Sequence, residues 1–285
     1  MQSAEYETQY KQTVIDFFNG RTSYDNDYTI RRSLPILDLI PFQPGQRVLD
    51  IATGTGIIAI AAAQAVGREG QVIGVDFSSG MLSQAQRKIQ ELGLQNVQLI
   101  EADAETIDFE DESFDVILCS SAIVYFKDIQ TTLQNWYRWL KGGGIIGFSS
   151  CSNQSCEAPL IIEVAARHGV TVPNINEPTG TPERCQQLLE DVGCKDIKVK
   201  SEQMGFYKSV EQARQWNGGW FHPTENPLSA LTFEQLNILI ASYVEDIEAQ
   251  ATERGVWYEN MTFFSVGYKR RHCAAQLLCE DNDRA

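Results

Sequence analysis

The chain has 285 residues, 43% of them apolar, and its 38 acids against 23 Lys and Arg give a formal net charge of −15. That length buries a large core, as one domain or as a domain with a substantial insertion, while the acidic balance argues against broad contact with a nucleic-acid backbone, which needs a basic face. No apolar run approaches the roughly 20 residues that cross a bilayer, and the start Met1-Gln-Ser-Ala-Glu-Tyr-Glu-Thr8 lacks the basic-then-apolar pattern of a signal peptide, so a cytoplasmic location is expected.

In chain order, residues 4–20 read as a helix with Tyr10, Val14, Phe17 and Phe18 on one face. A polar stretch follows, then a second helix over 30–39 that Pro41, Pro44 and Gly45 terminate. Residues 1–45 are therefore expected to form an N-terminal helical lid. From residue 46 strands and helices alternate. Strand 47–51 leads to helix 55–66, whose small residues suit tight packing on a sheet. Strand 71–76 leads to helix 79–92, with Ser78 or Ser79 as its cap and Gly93 as its stop. Strands 97–101 and 114–120, a Trp-rich helix 131–140 and strand 143–149 complete the regular rhythm. Beyond 150 come helices 160–168 and 181–192, a sixth strand 197–207, at least two helices within 208–255, a seventh strand 258–268 and a mixed, charged tail 270–285.

Repeated βαβ units of this length predict an α/β fold: a Rossmann-like, seven-stranded, mostly parallel sheet with helices on both faces. The core is expected over 46–207 and 256–269, with a helical cap at 208–255 inserted between strands six and seven.

Ligands of open α/β sheets sit outside the carboxyl ends of the strands, where strand order reverses. The run Val48-Leu-Asp-Ile-Ala-Thr-Gly-Thr-Gly56 places Asp50 at the end of the first strand and Gly54 and Gly56 in the turn behind it, where glycine lets a ligand approach the backbone closely. Asp76 ends the second strand, where a carboxylate accepts from both hydroxyls of a ribose. Asp103 follows the third strand, where an adenine amine would lie. Gly54-x-Gly56-x-x-Ala59 also fits a dinucleotide fingerprint, but an acid at Asp50 is awkward beside a pyrophosphate and suits a cofactor with an amino group and a sulfonium.

These residues carry a resemblance. The glycine run, Gly74-Val-Asp-Phe-Ser-Ser-Gly-Met-Leu82, Glu101-Ala-Asp-Ala-Glu105, Ser113-Phe-Asp-Val-Ile117 and the Leu140-Lys-Gly-Gly-Gly144 that enters strand five resemble the class I S-adenosylmethionine-dependent methyltransferases. Within that family the likeness is to the small-molecule branch with its quinone-type and natural-product enzymes. It implies S-adenosylmethionine as the cofactor, with Asp50, Ala52, Gly54 and Gly56 at its methionine portion. It implies Asp76, Phe77 and Met81 at the ribose and adenine, Asp103 and Ala104 at the adenine amine, and Cys119 and Ser120 flanking the cofactor. Tyr24 matches a position that closes over the methionine end.

The acceptor is expected to be a small, fairly apolar or aromatic metabolite, since 206–258 holds Phe206, Tyr207, Trp216, Trp220, Phe221, Trp257 and Tyr258. Tyr28, Ser121, Trp216, Trp220 and Phe221 are the candidate substrate contacts. O-methylation is favoured over N-methylation, and His222 in Gly218-Gly-Trp-Phe-His222 is the candidate general base. Arg31 and Arg32 read as a solvated helix face, with an acid group on the substrate as the alternative. A nicotinamide oxidoreductase and a non-catalytic cofactor-binding partner are the other classes. Seven Cys (119, 151, 156, 185, 194, 273 and 279) without a Cys-x-x-Cys pair, and three His (168, 222 and 272), predict neither a disulfide framework nor a metal centre. Oligomeric state is not legible.

Overall fold

In the computed structural model, which describes residues 2–216 and 222–271, one seven-stranded sheet forms the centre. Its strands are β1 (Arg47–Ile51), β2 (Gln71–Asp76), β3 (Val97–Glu101), β4 (Phe114–Ser120), β5 (Leu140–Cys151), β6 (Lys195–Gln203) and β9 (Met261–Tyr268). The order is β3-β2-β1-β4-β5-β9-β6, parallel except for β9, which runs antiparallel to both neighbours. Strand order therefore reverses between β1 and β4, the position where such sheets open a crevice. The central strands are apolar on both faces because helices cover both: Leu49, Ile51, Val75 and Ile117 face one core, and Val48, Val72, Val116 and Leu118 the other.

The helices α3 (Ile57–Val66) and α4 (Ser79–Glu91) follow β1 and β2, α5 (Ile129–Trp139) follows β4, and α7 (Pro182–Asp191) precedes β6. Side chains cap the last three: Ser78 on Met81, Asp128 on Thr131 and Thr181 on Arg184. Ahead of the sheet lie α1 (Gln2–Asn19) and α2 (Asp27–Ser33), the latter closed by a reciprocal Asn26–Thr29 capping box. The second helix starts three residues earlier than expected, and from Leu34 it tightens to a 3₁₀ turn ending at Leu39, because Pro35 removes a backbone donor.

The sixth and seventh strands are each shorter than expected. A separate ribbon of β7 (Phe206–Lys208) and β8 (Val256–Tyr258) peels off at Gly205 and Asn260. A Cβ at Gly205 would lie 2.3 Å from the Trp257 ring, so glycine is what lets the chain cross that indole. Across the same break Met204 N–H donates to the Asn260 carbonyl at 2.7 Å.

This ribbon joins α6 (Ala158–Arg167), α8 (Val210–Arg214) and α9 (Phe233–Ala249) around a third core containing Val164, Leu239, Tyr243 and Ile247. The cap thus draws on the β5–β6 connection as well as on residues 208–255. Among the described residues no helix is long and apolar enough to cross a membrane.

Candidate active site

Two chambers open at the carboxyl edge of the sheet, and Ser121 and Tyr125 line both. The first lies over the β1–β4 switch point and is bordered by Ala52, Gly54, Asp76, Phe77, Met81 and Asp103. The second lies between β5, α2, α6 and the cap, and Ile161, Trp216 and Leu228 are among its walls.

The first chamber is built by the turn after β1. Asp50 pairs in register with Gly74 and Leu118, so its carboxylate is fixed at the centre of the sheet. Thr53 Oγ1 donates to Asp50 Oδ2 at 2.5 Å, and a Cβ on Gly74 would lie 2.9 Å from that hydroxyl, so Gly74 clears the space for it. Burial pushes the Asp50 carboxyl up to about 7, against the opposing Thr53 and Ala59 hydrogen bonds and with help from the Asp76 charge. Gly54 has φ +55° and a Cβ there would meet nothing within 4 Å, because it would enter the chamber. Asp76 Oδ2 accepts from Gly54 N–H and Oδ1 from Ser78 N–H, both at 2.8 Å. That carboxylate, raised in pKa chiefly by burial, holds the glycine turn in place while still facing the chamber.

Asp103 accepts Glu105 N–H at Oδ1 and the Lys11 ammonium at Oδ2, 2.8 Å away, and Glu105 meets the same ammonium at 3.0 Å. The chamber's free volume is about 90 Å³. Ligand pockets begin near roughly 300 Å³; this one is smaller because α1 lies across it with Tyr10, Lys11, Val14 and Phe18. These four, with Glu105, Tyr125 and Phe126, are site residues that sequence reasoning missed. The aromatic stripe of α1 was legible, but not what it covers.

Backbone strain concentrates here. Five non-glycine residues have positive φ among the described residues, and three of them, Ala52, Ser121 and Cys156, line the chambers. Ser121 is held by its N–H to the Ser149 carbonyl at 3.1 Å and to Ser149 Oγ at 2.9 Å.

Of the expected residues, Tyr24, Ala52, Gly54, Asp76, Phe77, Met81, Asp103, Ala104, Ser120 and Ser121 border the first chamber. Trp216 borders the second. Others lie elsewhere. Gly56 caps α3 in a left-handed conformation and is needed because a Cβ would lie 3.1 Å from Ala85 of α4. Cys119, on β4, is fully buried in the core and lines neither chamber. Tyr28 borders neither chamber; it accepts from Asn260 Nδ2 and packs on Phe206 at 4.7 Å.

His222 also lines neither chamber. Its Nδ1 faces Thr224 Oγ1 at 3.1 Å, its carbonyl accepts Tyr6 Oη at 2.8 Å, and burial lowers its pKa. Trp220 and Phe221 lie outside the described residues. Arg32, expected on a solvated face, instead lines the second chamber.

Comparison with known proteins places this geometry. A family described as "Methyltransferase domain" matches residues 42–193. Aklanonic acid methyltransferase DauC from Streptomyces sp. (strain C5) is 33% identical over 153 residues, 53% of this chain and 68% of that protein. Demethylmenaquinone methyltransferase from Geobacillus kaustophilus is 42% identical over 103 residues, 36% of this chain and 44% of that enzyme, so the match spans less than half the relative's length. The crystal structure of YcgJ from Bacillus subtilis shares the fold with a TM-score of 0.57 at 19% identity, covering 86% of this chain and 100% of that one.

Proposed function

The chain belongs to the S-adenosylmethionine-dependent methyltransferases, and from that premise we propose that it methylates an oxygen of a small, largely apolar or aromatic metabolite in a biosynthetic reaction. Membership in this family removes the nicotinamide oxidoreductase as an alternative. The observation that carries the reading is the pair of chambers joined at Ser121 and Tyr125, one rimmed by acids and the other with an apolar side of Val124, Ile161, Ile175, Trp216 and Leu228 among more polar walls.

The residues of the first chamber fit the cofactor. Gly54 leaves open space where any Cβ would project, and Asp76 keeps unused lone pairs on two oxygens beside it. In this reading Asp76 takes the ribose hydroxyls, Phe77 and Met81 pack on the adenine, and Asp103 takes the adenine amine. Asp50, below the glycine turn, supplies the negative charge that a cationic methionine end requires. When bound, the cofactor supplies a methyl group already activated as a sulfonium, so that the acceptor's lone pair forms the new bond to carbon while the carbon–sulfur pair stays on sulfur.

The chain's own part is then to orient the acceptor and exclude water. Ser121 and Tyr125 stand at the junction through which the acceptor atom reaches the methyl. No histidine lines either chamber among the described residues, which favours an acceptor that is nucleophilic without a histidine base. The names of the relatives, an aklanonic acid and a demethylmenaquinone methyltransferase, support a small-molecule acceptor.

Calorimetric titration with S-adenosylmethionine and S-adenosylhomocysteine, with NAD(H) and NADP(H) as controls, is the first test. Micromolar binding of the sulfur compounds alone, followed by methyl transfer to members of a phenol, carboxylic acid, indole and amine panel, is expected. Turnover confined to macromolecules, or to amines, would sink the proposed acceptor class.

A further inference from the structure

The second chamber contains a cation that no acid pairs with among the described residues. Arg32 reaches into it from α2, and its buried Nε has no hydrogen-bond partner. The titratable groups that act on the guanidinium are Cys151, Tyr24, Tyr28 and Cys156. Burial pushes Tyr28 and Cys156 each up to about 12, so both are neutral at physiological pH. The acid on the chamber wall, Glu157, is engaged by Lys208 instead. Behind Arg32 the Tyr28 ring lies 5.4 Å from the guanidinium carbon, a cation–π contact that fixes the head group without neutralising it.

Taking a guanidinium out of water without an acid is costly, and such a group is retained where it serves a ligand. Val124, Ile161, Ile175, Leu228 and the Trp216 ring form an apolar side of the chamber, Ser121, Ser149, Ser150, Ser155, Asn176 and Gln215 add neutral polar groups, and the volume is about 260 Å³. One ring system fits that space. Arg is also the side chain whose fork of donors matches a carboxylate, two parallel N–H···O bonds at once.

We infer that the second chamber binds an aromatic organic acid, its ring against Trp216, Ile161 and Leu228 and its carboxylate on Arg32. The inference rests on the reading of this chamber as the acceptor site, and it narrows the acceptor from an apolar metabolite to an anionic one. Tyr125 lines both chambers, and Tyr24 lines the first. An anion held on Arg32 is therefore in the chamber that meets the first at Tyr125.

The test is equilibrium binding of 2-naphthoate and its neutral isostere 2-naphthamide to the full-length protein, with and without saturating S-adenosylhomocysteine. Naphthoate is expected to bind at least tenfold more tightly than the amide. Arg32→Met should remove that difference by weakening naphthoate alone, with S-adenosylhomocysteine affinity within twofold of the parent, and Arg32→Lys should restore part of it. Ligand-free Arg32→Met should melt at or above the parent temperature, because it loses an unpaired buried charge; a merely structural arginine would lower it.

Equal affinity for acid and amide in the parent, or binding of neither, overturns the acid site whatever the variants do. If Arg32→Met does not fold, that parental comparison still decides. Failure of S-adenosylhomocysteine to bind would instead count against the methyltransferase assignment, and the measurements made without it would still read the acid site.

Discussion

At Asp50 a carboxylate with 1% of its surface exposed is kept at the centre of the sheet beneath the glycine turn. Its pKa, raised by burial from 3.8 to about 7, sets a linkage with a definite sign. An acid whose folded pKa lies above its unfolded value contributes stability below the unfolded pKa, near 4, and loses it as pH rises through 7. Asp50→Asn should therefore stabilise the ligand-free protein at pH 8 by about 2–4 kcal/mol, with the gain vanishing toward pH 4. In the proposed reading the same change should weaken S-adenosylmethionine binding at least tenfold at pH 8, since the negative charge below the glycine turn is gone. In the parent, affinity should rise from pH 6 to pH 8 as Asp50 ionises. Thermal melts and titrations across that range check both, and an Asn variant no more stable than the parent at pH 8 would contradict the buried-charge account.

Among the elements, α1 decides access. Its carboxyl end is tied to α4, where Asn19 Oδ1 accepts from Ser78 Oγ at 2.8 Å and Gly80 N–H at 2.9 Å. Its middle is tied to the chamber floor by Lys11. Burial works against the Lys11 charge, but the hydrogen bonds to Asp103 and Glu105 outweigh it and hold its pKa above the ordinary value. In the proposed reading Lys11 thus competes with the adenine amine for Asp103. Lys11→Met should tighten S-adenosylhomocysteine binding about three- to tenfold and speed its association, roughly 1 kcal/mol of released competition on the scale of a charge-assisted bond. Stopped-flow binding measures this, and a weaker complex would place Lys11 among the groups that hold the ligand.

Across the whole molecule, the two chambers are supported by different cores. The first stands on the sheet and its two covering layers, while the second takes Trp216, Leu228 and Tyr243 from the cap core. Tyr243 ties that core together by donating to the Ala213 carbonyl at 3.2 Å and meeting Tyr258 Oη at 3.4 Å. Leu239, fully buried beside Tyr243, should cost about 2–4 kcal/mol when cut to alanine. The loss should appear as faster amide exchange in α6, α8 and α9 and as weaker acceptor binding, with S-adenosylhomocysteine affinity within twofold of the parent. An equal loss of both ligands would mean that the cores are coupled.

The βα rhythm was legible in the sequence because strand and helix periodicity are local, and the strands of the central sheet over 47–120 fall where that periodicity predicts them. The glycine turn with its acids was legible for the same reason: the Gly54 approach and the Asp76 and Asp103 positions are set by the few residues around each strand end. What spacing could not tell is which glycine serves a ligand and which serves packing; Gly54 faces open space while Gly56 meets Ala85 from a different helix. The breaks at Gly205 and Asn260 were likewise hidden, since the Trp257 ring that requires the first is 52 positions away. The direction of Arg32 shows the limit most clearly. Sequence alone determined that this chain has a sheet with acids and glycine at its carboxyl edge, because those features are encoded within a few residues of one another. Tertiary structure alone decided that α1 covers one chamber and that Arg32 turns into the other, because both depend on burial by segments far apart in the chain.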